Sequence, residues 1–173
     1  MNRPPHAAGP QPEPTICMTE GWHCLHLYYS IQPGPLSAID ENHRSEGRAR
    51  LIDILDPDRE GAPARMQVSV VSGHRADLGL MLMDPDPLVI NSIQQSIRAC
   101  PLGTALQPAY SFVSISEVSE YVPTVEQYAE KLKQDGTDDS DPTFEAKVNA
   151  YKQRLPKMNQ QRLYPDFPPL PVT

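Results

Sequence analysis

Four stretches of the chain alternate between apolar and polar residues, a period typical of β-strands: residues 21–31, 66–73, 77–83 and 109–116. The short link between the second and third stretches, residues 73–76, predicts a hairpin and therefore an antiparallel pair. Leucines on one side of residues 77–83 alternate with glycine and methionines on the other. A strand that is apolar on both sides is expected to be central in its sheet.

Helical spacing replaces this alternation in two segments between the strands. Residues 36–55 are apolar at both ends and polar in the middle, which predicts one irregular helix or two short ones. A second stripe, Ile90, Ile93 and Ile97, follows Asp86 as a natural N-cap and Pro87 at the first helical position. The order β-α-β-β-α-β predicts an α+β, ferredoxin-like fold, with both helices on one face of an antiparallel sheet.

The second face of this sheet is expected to need a partner. In the first strand, one side carries leucines and a tyrosine, and the other side carries a mixed set: Trp22, Cys24, His26 and Tyr28. Tyr110 and Phe112 of the last strand extend that mixed face. Each large side chain left in water forfeits about 1.5–3 kcal/mol. An apolar patch of this kind is typical of an interface.

Proline defines the expected organisation outside the sheet, because 20 of the 173 residues are proline and they concentrate at both ends. Such segments favour extended, solvated backbone and build no core. We expect a flexible arm at residues 1–20, the ferredoxin-like domain at 21–121, and a helical linker with a proline-rich tail at 122–173. A capping-box pattern at Thr124 and Gln127 opens the first helix of this C-terminal extension, and Pro142 opens the second.

Charge and composition exclude several classes of function. The net charge of −7 gives no basic footprint for nucleic acid or for an anionic membrane. No apolar run is long enough to span a bilayer, and the N-terminus lacks the apolar core of a secretory signal. Three cysteines without a CxxC spacing predict reduced thiols in a cytoplasmic protein.

No catalytic centre or metal site is legible from motifs alone. His23 and His26 are three apart, so on a strand they face opposite ways and cannot share a metal ion. His74 is expected in a solvated hairpin turn. The acidic residues near the C-terminal extension predict a solvated face: Glu117, Glu120, Asp138, Asp139 and Asp141.

Four segments in register carry a family resemblance. They read GWHCLH at 21–26, SGHRADLGLMLMDPDP at 72–87, PAYSFVSISEVSEYVP at 108–123 and RLYPDFP at 162–168. In order and spacing they resemble the N-terminal half of the chlorite dismutase family, and in particular its coproheme decarboxylase branch. The resemblance covers about residues 21–168.

This resemblance implies an oligomeric enzyme in which two ferredoxin-like halves pack their sheets into a dimeric α+β barrel. It also implies iron coproporphyrin III as substrate, oxidatively decarboxylated with hydrogen peroxide to haem b. The family's catalytic tyrosine, in a YPM-x-K motif, and its proximal histidine belong to the C-terminal half, and this sequence contains neither motif. No catalytic residue and no iron ligand is therefore assigned here. Tyr164, in RLYP, is not the missing tyrosine.

Two residues are carried over as candidate substrate contacts. The arginine of RLYP contacts a propionate in the family and corresponds to Arg162, whose guanidinium suits a carboxylate through bidentate bonds. Tyr121 is placed at the pocket edge by analogy. The expected cofactor is haem or coproheme, bound only together with a partner, which is a C-terminal haem-binding half or a homologous subunit.

Two other functions stay open. A lone ferredoxin-like domain can pair with itself through its open sheet face, as a non-catalytic module that binds haem or a small ligand. A cofactor-free enzyme of the dimeric-barrel monooxygenase type needs a polar cluster beneath the sheet. For that cluster the sequence offers only His26 with Tyr28 or Ser114.

Overall fold

The computed structural model describes residues 16–137 and 140–166. Its four strands are β1 (His23–Ile31), β2 (Arg65–Val70), β3 (Leu78–Asp84) and β4 (Leu106–Ile115), and its helices are α1 (Pro33–Ala38), α2 (Glu41–Ile54), α3 (Pro87–Ala99), α4 (Val125–Gln134) and α5 (Phe144–Leu163). The strands form one antiparallel sheet in the order β2-β3-β1-β4. This is the predicted ferredoxin-like arrangement. The hairpin of β2 and β3 and the internal position of β3 are both confirmed.

The polar segment before β2 folds as two helices. Ile39 adopts an extended conformation that ends α1, and the Asp40 carboxylate then caps α2 by accepting the backbone N–H of His43. The first helix begins earlier than the spacing of apolar residues predicts, at Pro33, because proline is pre-organised for a first helical turn. The cap of α3 is as predicted, since Asp86 accepts the backbone N–H of Leu88.

The core lies between one face of the sheet and the helices α2 and α3. The central strands supply leucines and Tyr29, and the helices supply isoleucines; the buried set is Leu27, Tyr29, Ile54, Leu80, Leu82, Ile90, Ile93 and Ile97. The predicted apolar stripe of α3 is therefore the stripe that packs on the sheet. Both helices lie on the same face, so neither packs on the opposite face, hereafter the open face.

At the edge of the sheet, β4 is exposed on both of its sides. Phe112 pairs with His26 on the open face and keeps 41% of its surface exposed. Val113 pairs with Leu25, so it points to the helix side, yet it is 70% exposed. The helix layer therefore does not extend over this strand.

The C-terminal extension forms a helical hairpin. Thr124 and Gln127 make the predicted capping box at the start of α4. The rings of Tyr128 and Tyr151 stack at 4.2 Å, and the Tyr151 hydroxyl donates to the carbonyl oxygen of Pro123. The second helix begins at Phe144, close to the predicted start.

Several predictions fall outside the described residues: most of the arm at 1–20, the tail beyond 166, and Asp138 and Asp139 of the acidic group. The proposed domain boundaries stay predictions. Within the described part of the chain, no helix combines the length and apolar character needed to cross a membrane.

Candidate functional site

The open face of the sheet carries three rows of side chains, each running across all four strands. From β2 through β3 and β1 to β4, the first row is Arg65, Met83, Cys24 and Ser114, the central row is Gln67, Met81, His26 and Phe112, and the far row is Ser69, Gly79, Tyr28 and Tyr110. Strand alternation places these residues on the side away from the core. The predicted mixed aromatic and polar face is thus present.

In the central row, the His26 ring stacks on Phe112 with centroids 4.1 Å apart and planes 9° apart. Its Nε2 lies 3.2 Å from Cys24 Sγ. Burial raises the pKa of the Cys24 thiol, outweighing a hydrogen bond with Ser114 that lowers it. Burial also lowers the pKa of His26. Both shifts favour the uncharged forms, so this contact is a thiol–imidazole hydrogen bond rather than an activated thiolate pair.

The two histidines of β1 are separated as predicted. His23 Nε2 lies 3.0 Å from the carbonyl oxygen of Ile16, whereas His26 lies on the open face. Across residues 16–137 and 140–166, no three His, Cys, Asp or Glu residues cluster closely enough to hold a metal ion. For a cofactor-free enzyme, the sequence suggested a cluster of His26 with Tyr28 or Ser114. In the structure the hydrogen-bond partner of the His26 ring is Cys24 instead.

The far row borders an open cleft of about 420 Å³ at the hairpin end of the sheet. Tyr28 and Tyr110 form two of its walls, with ring centroids 6.3 Å apart. Small apolar residues complete the lining together with one charged residue, Arg75. The cleft is therefore continuous with the uncovered part of the open face.

The β2 end of the first row, by contrast, is contacted by residues 163–166, hereafter the docked segment, whereas Ser114 at the other end is exposed. The Tyr164 ring packs edge-on against Trp22 at 5.0 Å, and the Arg65 guanidinium lies 5.5 Å from the Trp22 ring centroid. Arg65 also donates two hydrogen bonds to Asp166, at 2.8 and 3.2 Å. These contacts close one end of the open face, where Cys24 is buried.

Backbone and hydroxyl contacts hold the docked segment in place. The Ser116 Oγ accepts the backbone N–H of Trp22 and donates to the Leu163 carbonyl, both at 2.7 Å. The backbone N–H of Gly21 donates to the Tyr164 hydroxyl at 3.3 Å. Gly21 has φ +74°, a left-handed conformation that suits glycine. The starts of β1 and β2 and the end of β4 therefore all bind this segment.

The docked segment and the residues that bind it (Gly21, Trp22, Arg65 and Ser116) are hereafter the junction. Arg162 and Tyr121, the predicted substrate contacts, both lie close to it along the chain. Arg162 is exposed in the last turn of α5, directly before Leu163, and its guanidinium makes no ion pair or hydrogen bond within the described residues. Tyr121 is 90% exposed in the loop that begins at Ser116. The structure leaves both side chains accessible, and their role as ligand contacts stays a prediction.

Sequence reasoning missed the residues that anchor the docked segment. Ser116 and Leu163 are 47 positions apart, and Arg65 and Asp166 are 101 apart. No local periodicity links positions so distant. The RLYP motif was the only sequence feature that pointed to this region. Its tyrosine, Tyr164, packs on Trp22, the single tryptophan of the chain.

Comparison with known proteins gives a family match over most of the chain. A family model described as chlorite dismutase matches residues 44–170. A solved structure described as a novel heme-binding protein from Thermus thermophilus is similar at a TM-score of 0.52 and 22% identity, covering 80% of this chain and 52% of that one. An arginine-to-lysine variant of chlorite dismutase from Candidatus Nitrospira defluvii follows at a TM-score of 0.49 and 13% identity, covering 66% and 49%. The chain spans about half the length of these two structures.

Proposed function

This chain belongs to the chlorite dismutase family, and we propose from that membership that it forms the N-terminal half of a haem enzyme resembling the coproheme decarboxylases. In this proposal the chain is chiefly a scaffold. A second, haem-binding half or homologous subunit completes the pocket and supplies the iron ligand and the catalytic tyrosine. The reaction proposed for the whole assembly is the peroxide-dependent decarboxylation of two propionates of iron coproporphyrin III, giving haem b.

The observation that carries the proposal is the open face of the sheet. Its central and far rows present stacked and tilted aromatic rings, and Tyr110 and Phe112 keep 61% and 41% of their surfaces exposed. Neither row contains a residue that is charged at neutral pH when His26 is neutral. An uncharged aromatic face of this kind suits a second sheet packed against it.

The residues present fit a porphyrin through its carboxylates rather than through its iron. The exposed guanidinium of Arg162 has no acidic partner within the described residues and suits a propionate through charge-assisted, bidentate hydrogen bonds. Tyr121 is the second candidate contact, through its hydroxyl. When bound, the iron porphyrin would supply the redox chemistry with peroxide, and Arg162 would orient the substrate by one of its carboxylates.

Titration with iron coproporphyrin III, followed by the Soret band, tests this role of Arg162. We expect the Arg162→Gln variant to bind about ten- to a hundredfold more weakly, the usual cost of losing a hydrogen bond to a charged group. Lys157→Gln removes the same charge from the same exposed helix and serves as the control. Equal affinities for the two variants would show that Arg162 makes no specific contact.

Co-purification tests the partner. We expect wild-type chain to recover a second polypeptide that carries the YPM-x-K motif, and we expect Phe112→Asp to abolish that recovery by placing a charge in the central row. Val70→Asp is the control, because Val70 is also an exposed apolar residue, at 60%, and lies on the opposite edge strand β2. If no such chain is recovered and none is encoded downstream, the proposal of a partner half fails.

The alternative is a non-catalytic module that pairs with itself through the same face. The uncharged character of the central and far rows favours it, because a chain of net charge −7 can then associate without like-charge repulsion at the contact. A stable homodimer in light scattering, with no Soret shift on adding iron coproporphyrin III, would favour this alternative over the enzyme.

A further inference from the structure

We propose that Ser116 is a positioning residue, which holds Arg162 beside one carboxylate of the ligand. The inference rests on the proposed function, because it takes Arg162 as a carboxylate contact. Ser116 itself touches no ligand in this arrangement. It acts through the last turn of α5.

The first step is the pair of hydrogen bonds that the Ser116 side chain makes. Its Oγ accepts from the Trp22 backbone at the start of β1 and donates to the Leu163 carbonyl at the end of α5, both at 2.7 Å. A single hydroxyl thus joins three segments that are far apart in sequence. The Leu163 peptide is adjacent to Arg162, so this contact fixes the backbone from which the guanidinium extends.

The second step concerns the carbonyl groups at the end of α5. The last four carbonyls of a helix lack partners within it, and a nearby arginine commonly folds back to donate to them. The Ser116 hydroxyl donates to one of these carbonyls, that of Leu163. Within the part of the chain that the structure describes, the Arg162 guanidinium donates to none of them and stays exposed for an external carboxylate.

Tyr121 is placed differently, in the loop between β4 and α4. Ser116 is its first residue, and Tyr121 lies five positions later. A turn orders the loop, because the backbone N–H of Tyr121 approaches Ser119 Oγ at 3.3 Å and the N–H of Val122 donates to the Ser119 carbonyl at 3.1 Å. Tyr121 is therefore held by Ser119 rather than by the Ser116 side chain, and the proposed positioning concerns Arg162 alone.

A double-mutant cycle tests the proposal, using iron coproporphyrin III as the probe and the complex with its partner if one is recovered. We expect Ser116→Ala to weaken binding about two- to tenfold, the net worth of one hydrogen bond, in the wild-type background. In the Arg162→Gln background the same change should have no further effect, since the residue it positions is gone. Ser111→Ala is the control, because Ser111 is an exposed serine of β4, the strand that Ser116 directly follows.

Emission from Trp22, the only tryptophan, reports the docked segment independently of porphyrin binding. Ser116→Ala should shift this emission and Ser111→Ala should not. If Ser116→Ala fails to fold, Tyr164→Phe replaces it, because it removes only the hydroxyl that accepts from Gly21 and leaves the ring on Trp22.

Each outcome decides between distinct conclusions. Unchanged affinity in Ser116→Ala, or an equal loss in both backgrounds, overturns the positioning role and leaves the proposed function intact. Absence of porphyrin binding by wild-type protein overturns the proposed function and this inference together.

Discussion

A single methyl group should be costly at Gly21, whose backbone N–H donates to Tyr164 of the docked segment. A Cβ at Gly21 would collide with the backbone carbonyl oxygen of Ser116, which cannot rotate away as a side chain can. Its φ of +74° adds about 1–2 kcal/mol of left-handed strain for any L-residue. Overpacking against fixed atoms typically adds about 1–3 kcal/mol. We therefore expect Gly21→Ala to destabilise the fold by about 2–5 kcal/mol, a large part of a domain's usual ~5–15 kcal/mol.

Gly61 is the matched control. It has the same φ of +74°, but a Cβ there meets no atom within 4 Å. Gly61→Ala should therefore carry the strain alone, about 1–2 kcal/mol. The entropy that alanine removes from the unfolded chain is common to both variants and cancels in the comparison.

Urea unfolding measures the difference, followed by Trp22 emission for the junction and by far-ultraviolet circular dichroism for the whole domain. With a urea slope of about 1–3 kcal/mol per molar, the collision at Gly21 should lower the midpoint by about 1 M more than the change at Gly61. Equal midpoints for the two variants would refute the reasoning. They would mean that the docked segment moves aside at little cost and that the junction is not rigid.

Two further predictions concern titration and thiol reactivity. By NMR, His26 should titrate below its usual pKa of 6.5 because burial disfavours its charged form, and His43 should titrate above 6.5 because its ring is hydrogen-bonded to a carboxylate. The contribution of His26 to the free energy of unfolding therefore falls as the pH drops through 6.5. The contribution of His43 is lost as the pH rises through its raised pKa. A lower pKa for His43 than for His26 would contradict the geometry. With a thiol reagent, exposed Cys17 should react at once and buried Cys24 only on unfolding, and a fast second equivalent from Cys24 would mean that the first row is open.

The periodicity of the sequence was enough to predict the sheet, because its determinants are local. Alternation in β1 and β3, the hairpin between β2 and β3, and the cap at Asp86 each depend on neighbouring residues. The division of the segment before β2 into two helices was left open, since it is decided by a single extended residue, Ile39, whose conformation no period encodes. The number of strands and their order were thus predictable, while exact helix limits were not.

The junction was not predictable in the same way, because its contacts join residues far apart in the chain. Cys24 and Met83 belong to the open face by alternation, yet the structure buries them to 5% and 4% exposure. The side chains that meet at this end of the face come from the residue before β1, from β2 and from the docked segment: Trp22, Arg65 and Tyr164. Only the RLYP resemblance pointed to this region, and it identified Arg162 without its supporting contacts.

The exposure of β4 limits what kind of partner can complete the fold. Phe112 points to the open face, whereas Val113 and Ile115 point to the helix side, with 41%, 70% and 52% of their surfaces exposed. Burying the exposed surface of these three side chains would contribute roughly 2–5 kcal/mol, which is comparable to much of a domain's stability. A second sheet pressed flat against the open face would reach only Phe112. Because β4 is also the edge strand of the described sheet, a partner that removes all three side chains from water must extend around that edge. The unpaired backbone groups of an edge strand favour pairing with another strand, so we expect the partner to contribute a strand there.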